Sequence, residues 1–226
     1  MQVAGWGGAP LVSDGSVVLN VTVTNPTAPG YVTVWPNDGS GSPTVSNLNF
    51  VAGQTVPNRV TVKLGPTGWI NIMVAGGDAE VIADLAGWFT NASLASGTGS
   101  GFSGLTPARI LDTRYGVGAA QAPVCAGQTI SIAVAGQGGL PAMSSTVPPP
   151  PTGAVLNITV TNSTAASYLT VWPNGSTQPL ASDLNWTAGL TVPNLVVVRL
   201  SADGKIAIYN AAGCTDVVAD VVGWYG

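Results

Sequence analysis

The sequence predicts an all-β protein made of two tandem domains of one kind, each a β-sandwich or a barrel-like closed sheet. Three observations support this fold class: short runs rich in Val, Ile and Thr, turn residues that bound each run, and a long internal repeat. No stretch shows a helical period with capping residues. Short strands at this spacing are typical of sandwiches and barrels.

Self-comparison shows that the two halves of the chain carry the same motifs in the same order. The aligned blocks are VLNVTVTN (18–25) with VLNITVTN (155–162), SNLNF (46–50) with SDLNW (182–186), GQTVPNRVTVKL (53–64) with GLTVPNLVVVRL (189–200), and EVIADLAGWF (80–89) with DVVADVVGWY (216–225). The offset is 137 residues for the first block and 136 for the others. A constant offset of this size indicates two copies of one folding unit.

The two copies differ at their beginnings. Residues 105–133 have no counterpart before the first copy, and TNASLASGTGSGFSG (90–104) has the composition of a flexible linker. We therefore expect a first domain at 1–89 that lacks its N-terminal segment, a linker at 90–104, and a complete second domain at 105–226. The start MQVAGWGG shows neither segment of a signal peptide. Because the first copy lacks its upstream part, we expect Met1 to begin a processed or truncated piece.

Composition excludes some partners and favours an extracellular setting. Charged residues make up 7% of the chain, against about 25% in ordinary soluble proteins. Six basic residues and a net charge of −4 leave no patch that could neutralise phosphates, so we expect no nucleic-acid partner. No apolar run is long enough to span a membrane. A neutral surface of Thr, Asn, Ser and Gly suits a secreted or cell-surface protein.

Two cysteines, Cys125 and Cys214, are the whole thiol content of the chain. An even count in a sequence of extracellular character favours one disulfide, the alternative being two buried thiols. Without His, two cysteines do not form a typical zinc site. The segment NDGSGS (37–42) is oxygen-rich like a calcium loop, but a simple turn is the favoured interpretation. We expect no metal and no cofactor.

Enzyme chemistry has little support in this sequence, and we expect no catalytic residue. The chain contains no His, which excludes Ser-His-Asp and Cys-His arrangements. A pair of carboxylates is the remaining option, with Asp84 or Asp220 beside Asp112. However, Asp84 and Asp220 lie within apolar strands, where a carboxylate needs a partner. Arg109 and Arg114 flank Asp112, so a structural ion-pair network of these five residues is expected.

Polar and aromatic side chains share one parity on a repeated strand. In YVTVWPN (31–37), Val32 and Val34 face one way, and the others face the opposite way. If the preceding strand forms a hairpin with this one through NPTAPG (25–30), their polar faces join. The face is a candidate for covering by its own loop, for assembly contacts or for sugar binding. Its members are Tyr31, Thr33, Trp35, Tyr168, Thr170 and Trp172.

Several motifs together resemble a repeat domain of secreted actinobacterial proteins. They are RILDTR (109–114), VLNVTVTN, VWPN, SNLN, TVPN and the closing ADxxGW(F/Y). The resemblance covers nearly the whole chain, and the first copy departs from it by lacking the RILDTR block. It implies export and an accessory β-rich role, beside extracellular hydrolases or in tandem surface arrays. It implies no catalytic residues.

The sequence favours a non-catalytic, extracellular structural module that forms surfaces or fibres by self-assembly. In this hypothesis a strand from a neighbouring chain completes the first domain. Partners are then further copies or neighbouring domains of the same parent protein. The alternative is a carbohydrate-binding or cell-wall-binding accessory module of a secreted hydrolase, with cell-wall polysaccharide as the partner.

Overall fold

The computed structural model describes residues 1–6, 15–43, 46–89, 101–146 and 150–226, with the backbone alone at 106 and 107. Every regular element within these residues is a β-strand, which confirms the predicted all-β fold class. The chain divides into two compact units, Met1–Gly99 (unit 1) and Ser100–Gly226 (unit 2).

Unit 1 is a sandwich of two antiparallel sheets of three strands each. Its strands are β1 (Ser16–Thr24), β2 (Gly30–Pro36), β3 (Leu48–Phe50), β4 (Val56–Lys63), β5 (Ile70–Ala75) and β6 (Glu80–Phe89). The sheet orders are β4-β1-β6 and β3-β2-β5. β1 turns Leu19, Val21 and Val23 into the core, and β2 turns Val32 and Val34 toward them, so strand parity predicted these faces correctly.

The hairpin considered for β1 and β2 does not form. β1 pairs with β4 and β6, whereas β2 pairs with β3 and β5 in the other sheet. The short segment 25–30 therefore crosses between facing sheets, which lie about 10 Å apart in a sandwich. It starts at Asn25, whose φ of 50° turns the chain out of the sheet, and Asn162 repeats this conformation in unit 2 at 53°. The polar faces of β1 and β2 consequently belong to opposite surfaces of the sandwich.

Unit 2 repeats this sandwich with additional strands. Its strands are β7 (Phe102–Asp112), β8 (Val124–Cys125), β9 (Thr129–Ala133), β10 (Gly153–Thr161), β11 (Ser167–Pro173), β12 (Leu184–Trp186), β13 (Val192–Arg199), β14 (Lys205–Asn210) and β15 (Cys214–Tyr225). One sheet has the order β13-β10-β15-β7, with β8 also pairing with β15, and the other has the order β12-β11-β14-β9.

The second unit begins earlier than the sequence predicted. Residues 102–104 were assigned to the linker, but they form the start of β7 and pair with the end of β15. Phe102 lies opposite Tyr225, and their ring centroids are 5.4 Å apart. Composition misled the assignment, because Gly and Ser at a strand end resemble a linker in sequence.

The two units share details beyond the strand order. Each has a register shift on its last strand, where β1 pairs with β6 between Val18 and Leu19 and where β10 pairs with β15 between Val155 and Leu156. The N-terminal residues also match: the amides of Val3 and Ala4 donate to the carbonyl of Gly68 in the same manner as the amides of 134 and 135 donate to that of 204. Matching positions in the two units therefore have the same place in the fold.

Candidate functional site

An ion-pair network fixes β7 to β15 in unit 2. The guanidinium of Arg109 donates from Nε to Oδ1 of Asp220 at 2.8 Å and from Nη1 to Oδ2 of Asp112 at 3.0 Å. Arg114 donates from Nε and Nη2 to the same Asp112 carboxylate, at 2.9 and 2.7 Å. Four of the five residues expected in the network therefore come together here. Charge-assisted bonds of this kind are the stronger class of hydrogen bond.

The network keeps Asp112 ionised. Its side chain is buried, and its pKa lies at about 2, chiefly because the Arg114 side chain donates hydrogen bonds to the carboxylate. The Arg114 amide and Arg109 lower the pKa further, whereas burial of the carboxylate raises it. The pKa of Arg109 is raised, first by its hydrogen bond to Asp220. A general acid needs a raised carboxyl pKa, so the shift at Asp112 has the direction of a structural ion pair.

Asp84, the fifth predicted member, lies in unit 1 and is the counterpart of Asp220. A row of paired positions crosses each main sheet at this level. In unit 2 the row is Leu195, Asn157, Asp220 and Arg109. Within the described residues of unit 1 it is Arg59, Asn20 and Asp84. The arginine of this row thus stands on β7 in unit 2 and on β4 in unit 1.

The predicted aromatic and threonine face is covered over most of its area. Thr170 Oγ1 donates to the carbonyl of Ala181 at 2.7 Å, and Trp172 Nε1 donates to that of Ser176 at 3.0 Å. Thr170 and Trp172 are consequently buried beneath the loop that follows their own strand. For Trp172, this geometry corresponds to covering by its own loop and not to an exposed assembly contact or sugar-binding surface.

In unit 1 the same face has a similar arrangement. Thr33 is buried, Trp35 is half-buried, and the Trp35 indole nitrogen is buried without a hydrogen-bond partner among the described residues. Only the tyrosines of the predicted face are exposed, Tyr31 at 39% and Tyr168 at 38%. A broad flat platform of Trp and Tyr is therefore not what this face presents.

The two cysteines form the disulfide that the sequence favoured. Cys125 of β8 lies opposite Cys214 at the start of β15, and their sulfurs are bonded across a separation of 89 residues. The bond attaches the segment after β7 to the strand that β7 covers. Unit 2 is therefore held at this edge by a covalent bond in addition to the ion-pair network.

The outer edge of β6 is the feature that most distinguishes unit 1 from unit 2. β6 and β15 have matching sequences, and β15 is covered by β7 and β8, whereas among the described residues β6 pairs with β1 alone. Ile82 is 46% exposed, against 4% for its counterpart Val218. Trp88 is 45% exposed, against 6% for Trp224. We call this outer side of β6 the open edge.

A cavity of about 490 Å³ lies in unit 1 at the inner side of the open edge. Among its lining residues are Val3, Leu19, Ala83 and Leu85. Their counterparts in unit 2 are Val134, Leu156, Ala219 and Val221, which belong to one buried cluster with Leu111 of β7. In unit 2, Leu111 pairs with Ala219 and is fully buried, so β7 supplies apolar volume at this level of the core.

Among the residues of β6, the sequence pointed to Asp84 alone as a candidate site residue. Ile82, Ala83, Leu85 and Trp88 resemble ordinary core residues in sequence, because their counterparts in the second copy are buried. The signal that could have found them is the unmatched segment 105–133, combined with the question of which strand that segment covers.

The described parts of the chain offer little support for a metal site or a membrane-spanning helix. No group of three or more His, Cys, Asp and Glu side chains there could hold a metal ion. At the oxygen-rich turn, Asp38 Oδ1 accepts hydrogen bonds from the amide and the hydroxyl of Ser40, at 3.0 and 2.5 Å. Those described segments also include no helix with the length and apolarity needed to cross a membrane.

Comparison of the chain with protein-family models, with curated proteins and with solved structures found no match.

Proposed function

We propose that this chain is a non-catalytic, extracellular structural module that assembles with neighbouring β-domains through the open edge of unit 1. The observation that carries the proposal is the contrast between β6 and β15. Two strands of matching sequence occupy matching positions, and only β15 is covered among the described residues. The apolar side chains at the uncovered strand are correspondingly exposed.

An exposed strand edge favours association for two physical reasons. Its backbone N–H and C=O groups form a row that can extend a sheet onto another chain. Its apolar side chains gain free energy on burial, about 1.5–3 kcal/mol for each large one. Ile82 and Trp88 are both exposed on this strand, and no Lys or Arg stands within Glu80–Phe89 to oppose pairing. Natural edges that must stay unpaired commonly carry such charges.

An extracellular setting fits the rest of the molecule. The Cys125–Cys214 disulfide persists in oxidising compartments, and the surface is supplied mainly by neutral polar residues. The carboxylates best placed for chemistry are engaged with arginines in unit 2. These features support a structural role and favour no reaction.

The test is the mass of the purified chain as a function of concentration, by light scattering, with electron micrographs of the same samples. The wild-type chain is expected to gain mass as concentration rises. Ile82→Lys places a charge on the open edge and is expected to keep the chain monomeric. Leu180→Lys is the matched control, since Leu180 is fully exposed in a loop, and it should assemble like the wild type. A wild-type chain that stays monomeric at its solubility limit would contradict the proposal.

A second candidate function is weak binding of cell-wall polysaccharide, favoured by the exposed tyrosines. Tyr31 and Tyr168 occupy matching positions in the two units, and the Tyr168 ring lies 6.3 Å from that of Tyr209. Retention on peptidoglycan, chitin or cellulose that is lost in a Tyr31→Ala/Tyr168→Ala double variant would support this function. Equal retention of the double variant and the wild type would count against it.

A further inference from the structure

The strand that suits the open edge can be identified from unit 2. β7 pairs antiparallel with β15, with Arg109 opposite Asp220. A register shift follows, so that Leu111, two residues later on β7, lies opposite Ala219, the neighbour of Asp220. β6 is aligned on β1 as β15 is aligned on β10, since Asn20 pairs with Asp84 and Asn157 pairs with Asp220. The register of β7 on β15 therefore transfers directly to β6.

The first feature that β7 supplies to unit 2 is apolar volume. Leu111 is fully buried and Ile110 is nearly so, and both belong to the main core cluster. Ala108 packs against the same cluster beside Val221. The cavity of unit 1 lies at the corresponding level, between Ala83, Leu85 and the residues that start the chain. A leucine opposite Ala83 would enter that cavity.

The second feature is a charge partner at one register position. Arg109 bonds to both carboxylate oxygens of Asp220, from Nε at 2.8 Å and from Nη2 at 3.2 Å. Asp84 presents a carboxylate at the same register position of β6. An arginine on the added strand would therefore stand opposite Asp84 while the leucine two residues later stands opposite Ala83.

We propose that the open edge binds an antiparallel strand of the β7 type, with the sequence Ala-Arg-Ile-Leu-Asp, in which the arginine lies opposite Asp84 and the leucine opposite Ala83. This inference rests on the proposed function and names the partner of the same site. The affinity comes from the ladder of backbone bonds and from the leucine in the cavity. The arginine selects the register, because a shift by one residue would turn it toward the core.

The donor strand is a segment other than the β7 that already covers β15. The described residues contain one β7 and two strands that could receive it, β6 and β15. Moving β7 from β15 to β6, within a chain or between copies, would uncover Val218 and Trp224 as it covered Ile82 and Trp88. An exchange of β7 among copies therefore leaves β15 uncovered in place of β6. A separate β7-type segment would cover β6 while β15 stays covered.

The experiment uses the full chain and a peptide of residues 102–116, FSGLTPARILDTRYG, as the probe. Binding is measured by fluorescence anisotropy of the labelled peptide, and its place by hydrogen exchange. The tethered β7 keeps β15 occupied at a high effective concentration, so the peptide is expected to protect the amides of 80–89 and to leave those of 214–225 unchanged. The peptide is also expected to reduce any concentration-dependent assembly of the chain.

Peptide variants test the two recognition features. Leu111→Asp in the peptide is expected to abolish binding, and Leu111→Ala to weaken it roughly tenfold or more, because the cavity is left partly empty. Arg109→Asp in the peptide is expected to bind poorly to the wild-type chain and better to the Asp84→Arg chain. The Asp84→Asn chain, with its fold checked by urea unfolding, provides the same comparison if Asp84→Arg is poorly folded: it should lose the preference for Arg109 over Arg109→Gln.

Protection that falls outside 80–89, or equal binding of the Leu111→Asp peptide, would overturn the inference. Failure of the proposed function is separable from this result. A chain that stays monomeric but binds the peptide at β6 retains the donor assignment and loses self-assembly. A chain that assembles through Ile82 but does not bind the peptide retains assembly and loses the donor assignment.

Discussion

Arg109 and Asp220 are joined by two hydrogen bonds, at 2.8 and 3.2 Å, although 111 residues separate them in the chain. The pair connects β7 to β15 on the outer face of the main sheet of unit 2. Arg109 also bonds to Asp112, which in turn receives Arg114. One strand is thus attached by its backbone ladder, by this network and by the disulfide that follows it.

Removal of the Arg109 charge is expected to destabilise unit 2. Arg109→Gln should lower its free energy of unfolding by about 1–2 kcal/mol, a modest value because the guanidinium is half-exposed and screened by solvent. Urea unfolding, with hydrogen exchange to separate the two units, measures the change. Lys205→Gln is the control, since Lys205 forms an exposed pair with Asp203 at 3.0 Å and should change stability little. Equal effects of the two substitutions would contradict a role for the network.

Unit 2 is expected to lose stability in acid, because Asp112 becomes protonated there. Its folded pKa of about 2 lies below its ordinary value of 3.8, so its contribution is fully present above pH 3.8 and is lost as the pH falls through about 2. Asp112→Asn should remove this contribution, which leaves unit 2 less stable at neutral pH. The stability difference between the wild type and the variant should therefore shrink across that window. A difference that stays constant from neutral pH to pH 2 would show that Asp112 is not the titrating group.

Loss of the disulfide is expected to act on unit 2 alone. For a closed loop with a separation of 89 residues, the chain-entropy account gives about 4–5 kcal/mol. Cys125→Ser/Cys214→Ser should therefore accelerate hydrogen exchange in the core strands of unit 2, such as β10. The strands of unit 1 serve as the internal control, because its sequence contains no cysteine. Equal acceleration in both units would indicate that the bond does not act locally.

The loop over the second aromatic strand is expected to loosen when its anchor is removed. Thr170→Val keeps the shape of the side chain but deletes the bond from Oγ1 to the Ala181 carbonyl. The expected cost is about 1 kcal/mol, with faster hydrogen exchange in 174–183. Thr61→Val on the exposed face of β4 is the matched control and should have no comparable effect. Unchanged exchange in the loop would show that other contacts hold it.

The sequence predicted the core faces well and the strand partners poorly. Val32 and Val34 were assigned inward correctly, because alternation along a strand is a local property of the backbone. The partners of β1 depend on where a short connection leads, and 25–30 is short enough for a hairpin and long enough to cross the sandwich. Parity places side chains on faces and contains no information about which sheet holds the strand.

The same limit applies to the aromatic and threonine face. Its polar parity left covering by a loop, assembly contacts and sugar binding open, and Thr33 and Thr170 are buried, because covering by a loop depends on tertiary structure. The exposure of Ile82 was equally unpredictable, because it depends on whether another strand covers β6 and not on the neighbours of Ile82 in sequence. The unmatched segment 105–133 indicated that unit 1 was different and left the affected side chains unspecified.

The Cys125–Cys214 bond gives the two units unequal extensibility under tension. A force applied to the ends of the chain passes directly through the bonded sulfurs, so the residues between the two cysteines cannot be drawn out. At about 3.6 Å per residue, roughly 320 Å of contour length is withheld in this way. Unit 1 has no such bond and can release all of its length. An array of these chains would therefore alternate fully extensible segments with length-limited ones.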